Sequence, residues 1–181
     1  MEQIMENKAG YFPLFVDLQG KNILIVGAGK IAARRATVLV EFGADVTVVA
    51  PEANAFSNGS NKNQQSPWEC RSVSVPTLAE EGALVWKRRI FEAQDLNQKF
   101  LVLAATNDPA VNDEIARLCH ERGIPVNHAG DQSQCDFQFP AIARRDPVVI
   151  GINAGGKNHR LVKRVAAGLR EWMERIHFES L

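Results

Sequence analysis

The segment 126–140, VNHAGDQSQCDFQFP, places several side chains that can move protons within a few positions of one another. Asp131 offers a carboxylate base, and His128 carries an imidazole, the side chain most often used for acid–base catalysis near neutral pH. We therefore predict Asp131 and His128 as catalytic residues. The alternative is that the segment is only a solvated connection between two elements.

His128 and Cys135 also belong to the residue types that bind transition metals. Two such residues in one loop make a poor metal site, and the CxxC spacing of structural zinc sites is absent from the sequence. Cys135 is more simply explained as a small, largely apolar residue packed into the fold. The sequence therefore predicts no metal site.

A second candidate site is GAGKIA at 27–32, with the spacing Gly27-x-Gly29-x-x-Ala32. In dinucleotide-binding proteins the first glycine permits a tight turn, the second lets a pyrophosphate approach the backbone, and the small third residue lets the helix pack closely. The N–H groups at the start of the helix then bind the phosphates. The pattern alone is weak, because a glycine turn can also serve packing only, so the flanking elements decide its meaning.

Those flanking elements are typical of a βαβ unit. The run NILIVGAG at 22–29 predicts a buried parallel strand, KIAARRATVLVEFGA at 30–44 predicts a helix, and DVTVVAPE at 45–52 predicts a second strand. This context supports dinucleotide binding. The second strand leads to Glu52 with no adjacent arginine, so the sequence favours NAD over NADP as the cofactor.

Further strands alternate with helices along the chain. ALVWKRRI at 83–90, FLVLAATND at 100–108 and IPVNHAG at 124–130 predict strands, and PAVNDEIARLCHERG at 109–123 predicts a helix. Ligands of such sheets bind beyond the carboxyl ends of the strands. The glycine turn, 106–108 and 127–131 all fall at predicted strand ends, so we expect them to border one site.

The alternation stops near residue 137. We predict an α/β fold, with an NAD-binding Rossmann domain over 11–136 that contains a polar insertion at 53–76, and a small C-terminal α+β dimerisation unit over 137–181. That unit is expected to contain two strands joined at Asp146-Pro147 and one amphipathic helix. Apolar edge strands favour pairing with a second copy, so we predict a homodimer.

The composition excludes several classes of partner. Lys and Arg together number 21, as do Asp and Glu, so the net charge of zero argues against nucleic-acid binding. No apolar run approaches the roughly 18 residues of a membrane helix, and the start MEQIMENKAG lacks the features of a signal peptide. Three cysteines without close spacing fit a reducing compartment. We predict a cytoplasmic protein without membrane partners.

Four segments, in order, resemble the siroheme synthase dehydrogenase family, whose members are precorrin-2 dehydrogenases and, in some cases, also sirohydrochlorin ferrochelatases. The segments are YFPLFVDLQGKNILIVGAGKIAARRATVLVEFGADVTVVAPE, FLVLAATNDPAVNDEIARLCHERGIPVN, CDFQFPA and INAGGK. The resemblance covers nearly all of 11–176 outside the polar insertion. It implies oxidation of precorrin-2 to sirohydrochlorin with NAD as hydride acceptor.

The resemblance also implies positions for the cofactor. The pyrophosphate is expected to lie against Lys30 and Ile31. The adenosine ribose is expected beside Pro51 and Glu52, and the nicotinamide beside Thr106 and Asn107.

Three departures from the family pattern bear on activity. The family has a catalytic Asp three residues after the Asn that matches Asn127; this position is Gly130, with Asp131 one residue later. The segment Lys157-Asn158-His159 replaces the family's Lys-Ser-Pro, and members generally carry a further helical domain beyond the point that matches the end of this chain. An alternative therefore stays open, a non-catalytic NAD-binding homodimer with a regulatory or scaffold role. Ferrochelatase activity is not expected, because metal insertion also requires pyrrole protons to leave.

Overall fold

The computed structural model describes residues 11–53, 73–156 and 158–176. These residues group by contact into two compact units, one formed by 17–138 and the other by 11–16 together with 139–176. The sequence analysis placed the boundary at 136 and assigned residues 11–16 to the first domain, whereas their contacts group them with the C-terminal elements. The functional division into a Rossmann domain and a dimerisation unit stays a prediction.

The first unit is a parallel sheet whose strands alternate with helices. In chain order its elements are β1 (Asn22–Val26), α1 (Lys30–Glu41), β2 (Asp45–Val49), α2 (Val75–Glu80), β3 (Val85–Lys87), β4 (Leu101–Ala104), α3 (Pro109–Glu121) and β5 (Val126–His128). The strand order is β3-β2-β1-β4-β5, and all four pairings are parallel. The order reverses between β1 and β4, so ligands are expected beyond the carboxyl ends of these two strands. This is the predicted Rossmann topology.

The core forms because the central strands are apolar on both faces. In β1, Ile23, Leu24 and Ile25 are fully buried, as are Val102 and Leu103 in β4. Both faces of a parallel sheet are covered by its crossover helices, which is why these strands lack alternation of apolar and polar residues.

Two boundaries differ from the sequence-based expectation. Strand β1 ends at Val26 rather than continuing through the glycines, because Gly27 has a φ of 107° and leaves the extended conformation. The predicted polar insertion at 53–76 overlaps α2, whose N-cap Ser74 accepts a hydrogen bond from the backbone N–H of Thr77. A helix this short depends on packing rather than propensity, which composition does not reveal. The rest of the predicted insertion, 54–72, lies outside the described residues.

The second unit contains β6 (Ala141–Arg145), β7 (Val148–Ile152) and α4 (His159–Arg175). The two strands form the predicted antiparallel hairpin, and α4 packs against it. Arg170 on α4 donates from Nη2 to the carbonyl oxygen of Ile142 at 2.7 Å. The mixture of strands and one helix is the predicted α+β composition. Among all the described residues of the chain, no helix is long and apolar enough to cross a membrane.

Candidate active site

The turn between β1 and α1 leaves open space above its backbone. A Cβ added to Gly29 would meet no atom within 4 Å. Gly29 is also the N-cap of α1, has no side chain with which to cap it, and precedes a first turn without acidic residues. The N–H groups at the start of a helix lack intrahelical partners and carry a partial positive charge. The turn therefore fits an anionic pyrophosphate, as the sequence predicted.

A cavity of about 760 Å³ lies on the β2 side of this turn, and we call it the β2-side cavity. Its walls come from the ends of β1, β2 and β4 and from the segment after β3. Six predicted cofactor residues line it: Gly27, Gly29, Pro51, Glu52, Thr106 and Asn107. Ile90 and Phe91 add an apolar wall, which suits the flat face of a nucleobase.

A second cavity, of about 710 Å³, lies on the β5 side of the glycine turn, and we call it the β5-side cavity. Gly29, Thr106 and Asn107 line both cavities, so the two meet at the turn. The remaining predicted site residues, Lys30, Ile31, His128 and Asp131, line only the second one. An elongated ligand that crosses the turn could thus occupy both cavities.

Thr106 is fixed where the cavities meet by a buried amide that the sequence analysis missed. Asn112, which is 4% exposed, accepts hydrogen bonds from the backbone N–H of Thr106 at 3.0 Å and from its hydroxyl at 2.8 Å. Its own amide group donates to the Thr106 carbonyl oxygen at 3.1 Å. Helix α3 begins beside this contact because Asp108 caps it, accepting from the backbone N–H of Ala110 at 2.9 Å.

His128 is buried at the end of β5, and both of its ring nitrogens are engaged. Nδ1 accepts hydrogen bonds from the backbone N–H groups of Gly130 at 3.1 Å and Asp131 at 2.8 Å. The ring proton therefore lies on Nε2, which is 3.1 Å from Oδ1 of Asp113 and donates to it. No lone pair is left to take a proton from a ligand, so this geometry favours a positioning role over the predicted role as base.

Asp131 lines the β5-side cavity, but its carboxylate caps the 3₁₀ turn Gln132–Gln134. Oδ1 accepts from the backbone N–H of Ser133 at 2.9 Å and from its hydroxyl at 2.7 Å, while Oδ2 accepts from Nε2 of Gln134 at 3.1 Å. The hydrogen bond from the Ser133 side chain is the chief reason that the pKa of Asp131 lies below its usual value. The carboxylate is thereby a weaker base than a free one.

Asp113 is a further carboxylate in the β5-side cavity, and the sequence analysis did not single it out. Its Oδ1 accepts from Nε2 of His128 at 3.1 Å and from Nε2 of Gln134 at 2.8 Å. Asp113 lies in α3, His128 in β5 and Gln134 in the 3₁₀ turn. His128 and Gln134 follow Asp113 by 15 and 21 positions in the sequence. Helical spacing gave no indication of this contact, because Asp113 directly follows the buried Asn112 in α3 and adjacent residues of a helix face different directions.

The loop after β5 is held by a second set of contacts. Arg35 of α1 donates from Nη1 to Oδ1 of the buried Asn127 at 2.5 Å, and the Asn127 amide donates to the Phe137 carbonyl oxygen at 2.8 Å. Burial lowers the pKa of Arg35 to about 10, so the guanidinium stays charged at neutral pH. Cys135 is partly exposed rather than buried, and its Sγ accepts from the backbone N–H of His128 at 3.2 Å.

The wall of the β2-side cavity after β3 is fixed by an ion pair. Arg89 contacts both carboxylate oxygens of Asp95, at 2.7 and 2.5 Å, and its Nη1 also donates to the carbonyl oxygen of Ile90 at 2.8 Å. Asp95 further accepts from the backbone N–H of Glu92 at 3.0 Å. The segment that carries Ile90 and Phe91 is therefore held in place by hydrogen bonds to the buried carboxylate of Asp95.

Across the described part of the chain, no group of three or more His, Cys, Asp or Glu side chains is placed to hold a metal ion. The predicted cofactor and catalytic residues do meet around the two cavities. Their individual roles stay predictions.

Comparison with known proteins places residues 14–141 in a family described as "Putative NAD(P)-binding". The probable multifunctional siroheme biosynthesis protein HemA of Ruminiclostridium josui is 37% identical over 90% of this chain and 28% of its own length. The siroheme synthase of Photorhabdus laumondii is 36% identical over 94% of this chain and 32% of its own length. This chain thus spans about a third of the length of these curated relatives.

Among solved structures, SirC, a precorrin-2 dehydrogenase, matches with a TM-score of 0.65 and 29% identity, over 89% of this chain and 70% of SirC. The resemblance inferred from the sequence is thus confirmed, as are the Rossmann fold and NAD as the cofactor.

Proposed function

Because the chain belongs to this NAD(P)-binding family, we propose that it is an NAD-dependent precorrin-2 dehydrogenase that forms sirohydrochlorin in siroheme biosynthesis. The observation that carries the proposal is the match to SirC, since it extends over 89% of this chain, which is more than the first unit alone comprises. The siroheme biosynthesis protein HemA and the siroheme synthase support it through sequence identity.

The residues around the two cavities fit the parts of NAD. The open backbone at Gly29 and the first turn of α1, beginning at Lys30 and Ile31, would hold the pyrophosphate. Pro51 and Glu52 would hold the adenosine ribose in the β2-side cavity. Thr106 and Asn107 would contact the nicotinamide where the cavities meet. Bound NAD supplies the hydride acceptor, and the chain orients both reactants.

The β5-side cavity would then receive precorrin-2. It lies next to the proposed nicotinamide position and contains the carboxylates of Asp113 and Asp131 and the buried imidazole of His128. Oxidation by hydride loss also releases a proton, so a carboxylate within reach of the substrate is the chemical requirement that this cavity meets.

We further propose that the chain acts as a homodimer. In the described part of the second unit the buried apolar side chains are only Ala143, Ala166 and Met173. Phe12 and Trp172 of the same unit are 85% and 53% exposed. A two-stranded hairpin is marginally stable on its own, so burial of this apolar surface against a second copy would complete it. Sedimentation velocity tests this, with a monomer at micromolar concentration as the contrary result. Location in the cytoplasm stays a prediction.

An anaerobic assay tests the activity. Purified chain is mixed with precorrin-2 and NAD, and the absorbance of sirohydrochlorin is followed with time. Gly29→Val serves as the binding-deficient variant, because its Cβ would meet no protein atom within 4 Å and its side chain would occupy the space proposed for the pyrophosphate. We expect turnover by the wild type and its loss in the variant with an unchanged melting temperature.

The assay also decides between the proposal and its alternative. NAD binding by the wild type without oxidation of precorrin-2 would favour the non-catalytic homodimer, which Gly130 in place of the family carboxylate makes a definite candidate.

A further inference from the structure

The β5-side cavity contains two carboxylates that differ in how fully they are engaged. Both carboxylate oxygens of Asp131 accept hydrogen bonds within its own 3₁₀ turn, from donors on Ser133 and Gln134. Asp113 accepts two hydrogen bonds, both on Oδ1. Among the described residues Oδ2 of Asp113 accepts none, and its side chain is 57% exposed. One oxygen of this cavity-lining carboxylate therefore remains available to accept a hydrogen bond or a proton.

Asp113 is also held in one orientation. Its donor His128 has a side chain that is 3% exposed, and the two backbone N–H groups on Nδ1 fix the tautomer and the ring plane. Gln134 donates to Asp113 and to Asp131, so it links the two carboxylates. A base that is fixed by packed neighbours loses little freedom when the substrate binds.

Gly130 lies beside this pair, at the position where the family resemblance places a carboxylate. A Cβ on Gly130 would lie 3.4 Å from Cε1 of His128. Gly130, His128 and Asp113 also line the same cavity volume. A carboxylate reaching this volume from α3 could replace one that the loop lacks.

We propose that Asp113 is the catalytic base of the dehydrogenation, and that His128 and Gln134 are its positioning residues. The inference rests on the proposed function. In the reaction precorrin-2 loses two protons and two electrons in total, as one hydride and one free proton. One hydrogen leaves with the electron pair to oxidised NAD, which becomes NADH, and the other leaves as a proton to Oδ2 of Asp113. The carboxyl group then releases that proton to solvent, since it is more than half exposed.

The test uses the full chain with precorrin-2 and NAD under anaerobic conditions. Asp113→Asn keeps the shape of the side chain and removes its basicity, so we expect kcat to fall about 100-fold or more. The dissociation constant for NAD should change by less than about twofold, because the base acts in the chemical step rather than in cofactor binding. Asp113→Ala should regain part of the lost rate when formate is added, since a free carboxylate can enter the vacated space.

Two further measurements separate chemistry from structure. Glu121→Gln is the matched control, because it removes a carboxylate from the same helix. The Glu121 carboxylate pairs with Arg117, and Glu121 lines neither cavity. The kcat of Glu121→Gln should stay within about twofold of wild type. Nitrogen-15 NMR of the imidazole should show a protonated Nε2 and an unprotonated Nδ1 on His128 at neutral pH, a result that requires no turnover.

The outcomes distinguish this inference from the proposed function. Wild-type turnover with an equal kcat in Asp113→Asn would overturn the assignment while leaving the dehydrogenase intact, and loss of kcat in Asp131→Asn alone would transfer the role to Asp131. A fall in NAD affinity and melting temperature together with kcat in Asp113→Asn would reduce Asp113 to a structural role. A wild type that binds NAD but leaves precorrin-2 unchanged would overturn both proposals.

Discussion

Gly27 faces the carbonyl group of Ala105 so closely that a Cβ added to Gly27 would lie 2.3 Å from the carbonyl oxygen. The same residue has a φ of 107°, a conformation that side chains disfavour. It also donates from its backbone N–H to the carbonyl oxygen of Val49 at 2.9 Å. One glycine thus allows the ends of β1, β2 and β4 to meet beneath the proposed pyrophosphate.

Gly27→Ala is expected to lower the free energy of unfolding by about 3 kcal/mol, because the methyl group adds a backbone clash to an unfavourable φ. NAD affinity should fall as well, since the turn must move. Gly123→Ala is the matched control, because Gly123 has a φ of 65° and open space around it. The Gly123→Ala variant measures the cost of the positive φ without a clash, which is about 1 kcal/mol in the free energy of unfolding. Urea denaturation measures the free energy of unfolding of both variants. Equal losses in the two would contradict a backbone clash at Gly27.

The sequence was sufficient for features that repeat along the chain. Apolar runs and helical spacing predicted the strands and crossovers of the sheet, and the Gly27-x-Gly29 spacing predicted the turn at its centre. Glu52 at the end of the second predicted strand favoured NAD as the cofactor, and the family resemblance led to the proposed reaction. These features depend on local pattern, and so they were accessible without coordinates.

The parts that were missed depend on contacts between distant positions. Helix α2 escaped notice because two buried side chains, Val75 and Leu78, secure it within a segment of polar composition. The pairing of Asp113 with His128 joins two elements through side-chain geometry alone. The proposed reassignment of the base rests on which lone pairs are occupied, and spacing carries no such information.

Asn127 gives a prediction about stability. Its buried amide accepts from Arg35 and donates to the carbonyl oxygen of Phe137, so Asn127→Ala removes both contacts from the interior. We expect a loss of about 1–3 kcal/mol in the free energy of unfolding. Asn97→Ala, at an exposed site, should cost less than about 0.5 kcal/mol. Similar costs for the two variants, measured by urea denaturation, would contradict the structural role of Asn127.

Asp95 gives a prediction about pH. Its hydrogen bond with Arg89 is the main cause that holds the pKa of Asp95 below its usual value. The unfolded chain therefore binds a proton at this group more readily than the folded chain does. The resulting stabilisation is complete above the unfolded pKa and is lost as the pH falls below about 4.

Urea denaturation between about pH 6 and pH 3 should therefore show a steeper loss of stability in wild type than in Asp95→Asn. Asp45→Asn, at the exposed start of β2, should keep the wild-type slope. If Asp95→Asn also kept that slope, the ion pair would not contribute to acid sensitivity.

Glu52 gives a prediction about cofactor choice. It is exposed at the carboxyl end of β2 and lines the β2-side cavity, where the adenosine ribose is proposed to lie. A carboxylate accepts a hydrogen bond from the 2′-hydroxyl of NAD and repels the 2′-phosphate of NADP. We expect wild type to bind NAD at least about tenfold more tightly than NADP, a difference of about 1.4 kcal/mol in binding free energy. Glu52→Gln should lower this ratio of affinities.

Glu80→Gln is the control, because Glu80 is exposed at the end of α2 and lines neither cavity. It should leave the ratio of NAD to NADP affinity unchanged. Calorimetric titration of each variant with both cofactors checks the ratio. An unchanged ratio in Glu52→Gln would remove Glu52 from the ribose site and place the discrimination elsewhere in the cavity.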